Sequence, residues 1–206
     1  MEVFPSQHFH LARGKEIINQ KINSMAHINL PEELPGIRAL MAYSPDTAAA
    51  LNGVAEVLLR KENSLTQGER ELIATYVSSE NDCTFCQNVH GAVASHYLND
   101  EDGSLIDQVK KDPDAAPLTA KMKALLSIAG SVQKGGKHVT AHQINIAKTE
   151  GATDKEIHDT VLIAAAFCMF NRYVDGLATW APEDKEMYKS RAAQLAKTGY
   201  AGSSPY

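Results

Sequence analysis

The chain has 206 residues, of which 44% are hydrophobic and 22% charged, a composition typical of a soluble globular protein. The formal net charge of -5 and the lack of a long basic run disfavour binding to nucleic acid or to an anionic membrane, so we expect a small molecule or a protein as the partner. The N-terminal stretch lacks the pattern of a secretory signal, which favours a cytoplasmic location. We expect a single domain over residues 1–206.

Apolar residues recur three and four positions apart through most of the chain, and alternating β-branched runs are missing. This pattern predicts an all-α fold. In the first quarter of the chain, a helix is predicted around residues 17–22 and a short one from about Ile37. A longer helix is predicted to begin at Pro45, with Ser44 as its cap.

Two helices are predicted around the middle of the chain. Thr66 and Glu69 form a capping-box pattern, in which each side chain pairs with a backbone N–H group at the helix start. The helix that they start is predicted to run to about residue 79. The next helix is predicted to begin at Cys83, with Asp82 as its cap.

The second half of the chain is predicted to be helical as well, and each helix has a start or stop signal. The last helix is expected to be followed by a loose tail over residues 198–206. Helices are predicted near residues 105–110 and over residues 118–133, and Gly135 follows the second of them. A third begins after the Thr140–Gln143 capping box, and a fourth spans residues 154–179 after the Thr153–Glu156 capping box. The last begins at Pro182.

The segment ENDCTFCQNVHG, residues 80–91, places Cys83, Cys86 and His90 on one face of a helix, because a helix turns about 100° per residue. Cysteines at a helix start lie near unpaired N–H groups and the positive end of the helix dipole, so at least one is expected to have a lowered pKa. His90 is placed to accept the proton of Cys86, which makes Cys86 the better activated thiol. Cys83 is placed to attack a sulfenic acid on Cys86 and to close a disulfide.

Glu71 joins this face only if its helix folds back antiparallel across the turn SSEND. It would then be able to relay protons to the dithiol. The simpler interpretation is an acid in the first turn of a helix, where acids are common. Zinc binding by Cys83, Cys86, His90 and Glu71 is an alternative, but structural zinc sites usually have a second cysteine pair, which this chain lacks. We therefore expect no metal.

The spacing of Glu71, Cys83, Cys86 and His90, written E-x11-C-x2-C-x3-H, resembles that of the AhpD-like alkylhydroperoxidase family within the carboxymuconolactone decarboxylase superfamily. The strings LTQGERELIATYVSSENDCTFCQNVHGA and FNRYVDGLAT are similar to its peroxidase-related branch. The resemblance covers about residues 34–180 and leaves an N-terminal helical extension and a C-terminal helix outside. It implies an AhpD-like helical bundle with the active site between helices, and a homo-oligomer.

In that family the second cysteine takes the sulfenic intermediate, the first is proton donor and disulfide partner, and the glutamate and histidine form a proton relay. The resemblance implies a peroxidase that reduces organic hydroperoxides, with Cys86, Cys83, Glu71 and His90 in these roles. It implies no bound cofactor and an external reductant, which is a dithiol or a lipoyl-type protein like the dihydrolipoyl adaptor of the family. One departure is Phe85, because well-studied members have a histidine just before the second cysteine.

Two other functions are alternatives to a peroxidase. A redox sensor or disulfide-exchange protein of this fold also needs an acidic cysteine with a resolving neighbour, and repeated turnover distinguishes an enzyme from it. A decarboxylase acting on a lactone, the other activity of the superfamily, would leave the cysteine pair without a role.

Several other polar residues have simpler interpretations. Cys168 lies in an apolar run and is expected in the core. His138 and His142 are four positions apart without an obvious third ligand, so they are expected on the surface. Asn171 and Arg172 are expected either at a subunit interface or at the border of the active site.

Overall fold

The structure is a computed structural model that describes residues 26–201, so the helix predicted around residues 17–22 lies outside the described residues. Over residues 26–201 the chain forms nine α-helices, one short 3-10 helix (Gly136–His138) and no strand, which confirms the predicted all-α fold. The α-helices, numbered in chain order, are α1 (Ile37–Tyr43), α2 (Pro45–Arg60), α3 (Gln67–Glu80), α4 (Thr84–Leu98), α5 (Ser104–Lys111), α6 (Ala120–Lys134), α7 (Ala141–Thr149), α8 (Asp154–Gly176) and α9 (Lys185–Thr198).

Three helices begin at the predicted capping boxes. In each box a threonine hydroxyl accepts a hydrogen bond from the backbone N–H three residues on, and the side chain at that position accepts one from the threonine N–H. Each box therefore satisfies two N–H groups that a helix start would otherwise leave unpaired. The pairs are Thr66–Glu69 for α3, Thr140–Gln143 for α7 and Thr153–Glu156 for α8.

The start of α4 differs from the prediction by one residue. Cys83 has extended backbone angles and occupies the cap position itself, so the helix begins at Thr84. Asp82, which was predicted as the cap, has a φ of 57° and forms part of the turn. The turn reverses the chain because the N–H of Cys83 donates to the carbonyl of Ser78, near the end of α3, at 3.0 Å.

The α3–α4 pair is the most extensive helix contact in the described part of the chain. The two helices are antiparallel, since Glu71 near the start of α3 contacts His90 in the middle of α4. The long helix α8 packs against α3 and α6, and its Phe167 is fully buried. The next most extensive contact joins α9 to α4. The face of α4 that carries Cys86 and His90 is thus enclosed by neighbouring helices.

The last helix begins later than predicted. Its start is Lys185 rather than Pro182, because the Asp184 side chain accepts a hydrogen bond from the Glu186 N–H and caps the helix there. Pro182 instead provides the carbonyl that accepts a hydrogen bond from the Tyr188 hydroxyl at 2.8 Å. Between residues 26 and 201, none of the helices has the length and apolar character needed to cross a membrane.

Gly36 packs directly against the helix that carries the cysteines. Its φ is 56°, a conformation that residues with a Cβ atom rarely adopt. A Cβ atom at this position would lie 2.2 Å from the ring of Phe85. Phe85 is 6% exposed, and its ring centroid lies 6.4 Å from that of Tyr188. The ring is therefore held in place, and glycine is required for this close approach.

Gly36→Ala is expected to lower the free energy of unfolding by about 2 kcal/mol, because it combines backbone strain with a steric clash. Urea denaturation measures the change. Gly53→Ala is a matched control, since Gly53 lies inside α2 and a Cβ atom there would have no neighbour within 4 Å. The control is expected to be stabilising by up to about 1 kcal/mol. A Gly36→Ala protein as stable as wild type would contradict the prediction.

Candidate active site

A buried carboxylate and an imidazole form the centre of the site. His90 Nδ1 lies 2.8 Å from Glu71 Oε2, and the Glu71 side chain is 1% exposed. An ionised carboxylate only accepts hydrogen bonds, so beside ionised Glu71 the Nδ1 of His90 is the donor, and Nε2 is the ring nitrogen left for other contacts. The edge of Phe167 contacts the imidazole, with ring centroids 4.6 Å apart, and restricts its rotation. Helix α3 therefore folds back antiparallel onto α4, as the predicted contact of Glu71 with this face of α4 requires.

Tyr200 is a third member of this group, and the sequence analysis missed it. Its hydroxyl donates a hydrogen bond of 2.6 Å to Glu71 Oε1 and lies 3.3 Å from His90 Nδ1. Burial raises the pKa of Tyr200 well above its ordinary value, and the negative charge of Glu71 acts in the same direction. The phenol therefore remains a protonated donor at neutral pH.

The segment that carries Tyr200 is attached to α2. Glu56 Oε2 accepts hydrogen bonds from the N–H groups of Tyr200 at 2.7 Å and Ala201 at 3.3 Å. Arg60 Nη1 donates to two carbonyls at the end of α9, at 3.2 and 3.1 Å. The prediction of a loose tail over residues 198–206 is therefore wrong through Ala201, while residues 202–206 lie outside the described part.

The sequence contains one local signal for this return of the chain. Gly199 ends α9 with a φ of 74°, and a Cβ atom there would lie 2.5 Å from Glu56 Oε2. A glycine at a helix end followed by an aromatic residue indicates that the chain turns back and packs. The signal does not identify the partner, which lies 129 positions earlier in the chain.

The two cysteines of the pair have different environments. Cys83 is fully buried at the cap position of α4, and Cys86 is the third residue of the helix. Interaction with the Cys86 side chain and burial raise the pKa of Cys83. Cys83 is therefore not the cysteine for which the position at the helix start lowers the pKa, because interaction with Cys86 and desolvation outweigh the helix dipole.

Cys86 and His90 line a cavity that Cys83 does not reach. The cavity contains about 920 Å³ of empty space, including the part open to solvent. Its walls are mainly apolar, and Phe85 contributes to them. Further apolar lining residues are Ile37, Met41, Leu51, Val89, Phe170 and Leu195. The arrangement brings a thiol and an imidazole together at the wall of one mainly apolar cavity.

Asn171 and Arg172 lie outside the cavity lining. Asn171 is 1% exposed, accepts a hydrogen bond from Asn81 at 2.9 Å and donates one to Ser78 Oγ at 3.0 Å. It therefore links α8 to the turn that precedes the cysteines. Arg172 donates to the carbonyl of Cys168 at 2.8 Å. Cys168 is buried, which confirms its predicted place in the core.

The remaining candidate ligands are dispersed. His138 and His142 are exposed, which confirms the expectation of surface histidines. Within residues 26–201, no group of three or more His, Cys, Asp or Glu side chains has an arrangement that can hold a metal ion. The four side chains considered as zinc ligands do not form such a group.

Comparison with known families identifies the class of protein. The sequence matches the carboxymuconolactone decarboxylase family over residues 45–102 and 108–182. These segments contain α2–α4 and the catalytic candidates Glu71, Cys83, Cys86 and His90. The chain belongs to the carboxymuconolactone decarboxylase family. A comparison with curated proteins finds no significant match.

Two solved structures share the fold. One is an uncharacterized peroxidase-related protein from Silicibacter sp. TM1040, with 22% identity, a TM-score of 0.68 and a match over 92% of each chain. The other is described as an alkylhydroperoxidase AhpD core, an uncharacterized peroxidase-related protein from Ralstonia eutropha JMP134. Its identity is 22% and its TM-score 0.68, over 92% of this chain and 95% of that one. The helical arrangement is therefore AhpD-like.

Tyr200→Phe is expected to lower the free energy of unfolding by about 2 kcal/mol, because it removes a hydrogen-bond donor to a buried carboxylate. Chemical denaturation at neutral pH measures the effect. Tyr43→Phe is the matched control, since Tyr43 is 61% exposed and its hydroxyl is expected to contribute less than about 0.5 kcal/mol. Equal losses in the two variants would contradict the assigned hydrogen bond.

The raised pKa of Tyr200 also predicts a dependence of stability on pH. The phenol titrates near pH 10 in the unfolded chain and at higher pH in the folded one, so above about pH 10 the folded state binds more protons. Its stabilising contribution is complete below that pH and decreases as the pH rises. The stability of wild type is expected to decrease more steeply than that of Tyr200→Phe, by up to about 1.4 kcal/mol per pH unit. Parallel pH profiles in urea denaturation would disprove this.

Proposed function

We propose that the protein is a thiol-dependent peroxidase that reduces organic hydroperoxides through a Cys83–Cys86 dithiol/disulfide cycle. The observation that carries the proposal is the asymmetry of the two thiols. Cys83 is fully buried and its pKa is raised, whereas Cys86, which is 3% exposed, lines a mainly apolar cavity that His90 also lines. Membership of the family and the peroxidase-related description of two structures with the same fold support the proposal.

In the first step, the Cys86 thiolate attacks the terminal oxygen of the hydroperoxide. The S–O bond forms as the O–O bond breaks, so the sulfur is oxidised to a sulfenic acid and the peroxide is reduced to an alcohol. His90 Nε2 takes the proton of the Cys86 thiol, directly or through one water, and returns it to the leaving alkoxide. The hydrogen bonds that Glu71 accepts from His90 and Tyr200 support this role, because they keep the imidazole oriented.

In the second step, Cys83 attacks the sulfur of the Cys86 sulfenic acid. The S–S bond forms and the S–O bond breaks, and the hydroxyl group leaves as water with the proton from Cys83. A thiol with a raised pKa suits this role, since it stays protonated while Cys86 reacts and then donates its proton. This supports the assignment of Cys83 as the resolving cysteine.

An external dithiol supplies two electrons and two protons to restore the pair. Cys86 lines the cavity and Cys83 is fully buried, so the reductant attacks the Cys86 sulfur from the cavity. A small dithiol or a lipoyl arm can enter such a space, whereas a dithiol on the surface of a folded protein cannot. We therefore favour a lipoyl-type partner.

Phe85 takes no part in the proposed proton relay. Its ring packs against Gly36 and Tyr188 and cannot exchange protons. The proposed relay therefore consists of His90, Glu71 and Tyr200, and Phe85 acts as part of the apolar wall.

A homo-oligomer is part of the proposal. Val57 on α2 and Met169 on α8 are 57% and 46% exposed, and Leu162, two turns before Met169, is 44% exposed. These apolar side chains provide surface that a second copy of the chain can cover.

One equivalent of cumene hydroperoxide is expected to oxidise a defined pair of thiols in each chain. Two thiols per chain are expected to be lost, counted on denatured protein, and peptide mapping is expected to locate the disulfide at Cys83–Cys86. Cys86→Ser should abolish the loss, and Cys83→Ser should leave a sulfenic acid on Cys86 that dimedone traps. Cys168→Ser is the matched control and should behave as wild type, because Cys168 does not line the cavity.

Continuous consumption of peroxide with dithiothreitol separates an enzyme from a sensor. An enzyme is expected to turn over many equivalents, whereas a sensor stops after one. Thiols that survive the peroxide in the wild-type protein would refute the proposed function.

A further inference from the structure

Two arginines line the Cys86 cavity. Arg38 comes from α1 and Arg191 from α9, and among residues 26–201 no aspartate, glutamate or lysine lines it. The two arginines come from opposite ends of the described chain. The mainly apolar wall formed by the described residues therefore also carries two positively charged side chains.

The two guanidinium groups influence each other. Burial lowers the pKa of Arg191, and the positive charge of Arg38 acts in the same direction. Arg191 Nη1 donates a hydrogen bond of 2.8 Å to Gln194 Oε1, a neutral acceptor.

The arginines alternate with apolar residues on their helices. On α9, Tyr188, Arg191 and Leu195 are spaced by about one turn, and all three line the cavity. On α1, Arg38 lies between Ile37 and Met41, which also line it. A ligand that contacts these walls therefore meets hydrocarbon and positive charge within the same space. This combination suits a molecule with an apolar body and an anionic group.

We propose that the cavity selects organic hydroperoxides that carry a carboxylate, with the carboxylate bound by Arg38 and Arg191 and the peroxide directed to Cys86. The inference rests on the proposed function, because it specifies the substrate class of the same site. Arginine pairs well with carboxylates, since its planar group can donate two parallel hydrogen bonds. The carboxylate takes no part in the chemistry, so the reduction remains a two-electron transfer from Cys86 that yields the hydroxy acid.

A matched pair of substrates tests the selection. Cumene hydroperoxide and its para-carboxylate derivative share the reacting group and differ in the anion. With dithiothreitol as reductant, wild type is expected to show a kcat/KM about tenfold or more higher for the carboxylate, and Arg191→Gln should reduce this ratio about tenfold. Arg191→Lys should retain part of the preference, because it keeps the charge but loses the planar group.

Lys189→Gln is the matched control for loss of one positive charge. Lys189 lies on the same helix, is exposed, pairs with Glu186 and does not line the cavity. The ratio of kcat/KM values is expected to stay at the wild-type level in this variant. An equal decrease in Lys189→Gln and Arg191→Gln would show a general charge effect and overturn the inference.

A binding measurement separates this inference from the peroxidase proposal. By titration calorimetry, 4-isopropylbenzoate should bind at least about tenfold tighter than the neutral 4-isopropylbenzamide, and Arg38→Gln and Arg191→Gln should each reduce that difference. If no peroxide is reduced but the benzoate shows this dependence, the peroxidase proposal fails and the site for an anionic ligand stands. If both peroxides are reduced equally and the benzoate binds no tighter than the amide, the peroxidase proposal stands and the carboxylate selection is refuted.

Discussion

The site depends on the burial of one carboxylate. Glu71 is 1% exposed, and transfer of a carboxylate out of water is unfavourable unless hydrogen bonds compensate it. His90 and Tyr200 provide these bonds, one to each carboxylate oxygen. The two donors belong to separate segments, α4 and the turn after α9. Burial of Glu71 therefore requires that both segments pack against α3, and this couples the position of the imidazole to the end of the chain.

The coupling extends to α2. Glu56 binds the backbone that carries Tyr200, and Arg60 binds the carbonyl groups at the end of α9. The same helix contributes Leu51 and Ala55 to the cavity wall. A single set of contacts thus encloses the cavity and orients the base at its wall. This explains why a segment without any regular secondary structure, residues 199–201, contributes to the candidate active site.

The turn between α3 and α4 creates the difference between the two thiols. Asp82 reverses the chain with a positive φ, so Cys83 falls at the helix cap and is fully buried. Three residues later, Cys86 points to the cavity. Asn171 donates a hydrogen bond to Ser78 and accepts one from Asn81, on either side of the end of α3, and these bonds stabilise this turn. Two chemically identical side chains therefore differ in their access to the cavity because of their position in one turn.

The sequence by itself determined the structural features that depend on short-range periodicity. It predicted the helices of the described part and the three threonine capping boxes within a few residues, and it placed Cys86 and His90 on one face of a helix, because these features depend on residues three or four positions apart. Cys83, predicted on the same face, lies instead at the cap of the helix and does not line the cavity. Only the tertiary structure decided the contacts between distant segments, since hydrogen-bond partners 19 and 129 positions apart leave no local pattern. The raised pKa of Cys83, the role of Tyr200 and the meeting of Arg38 with Arg191 belong to this second group, because burial and long-range electrostatics exist only once the chain has folded.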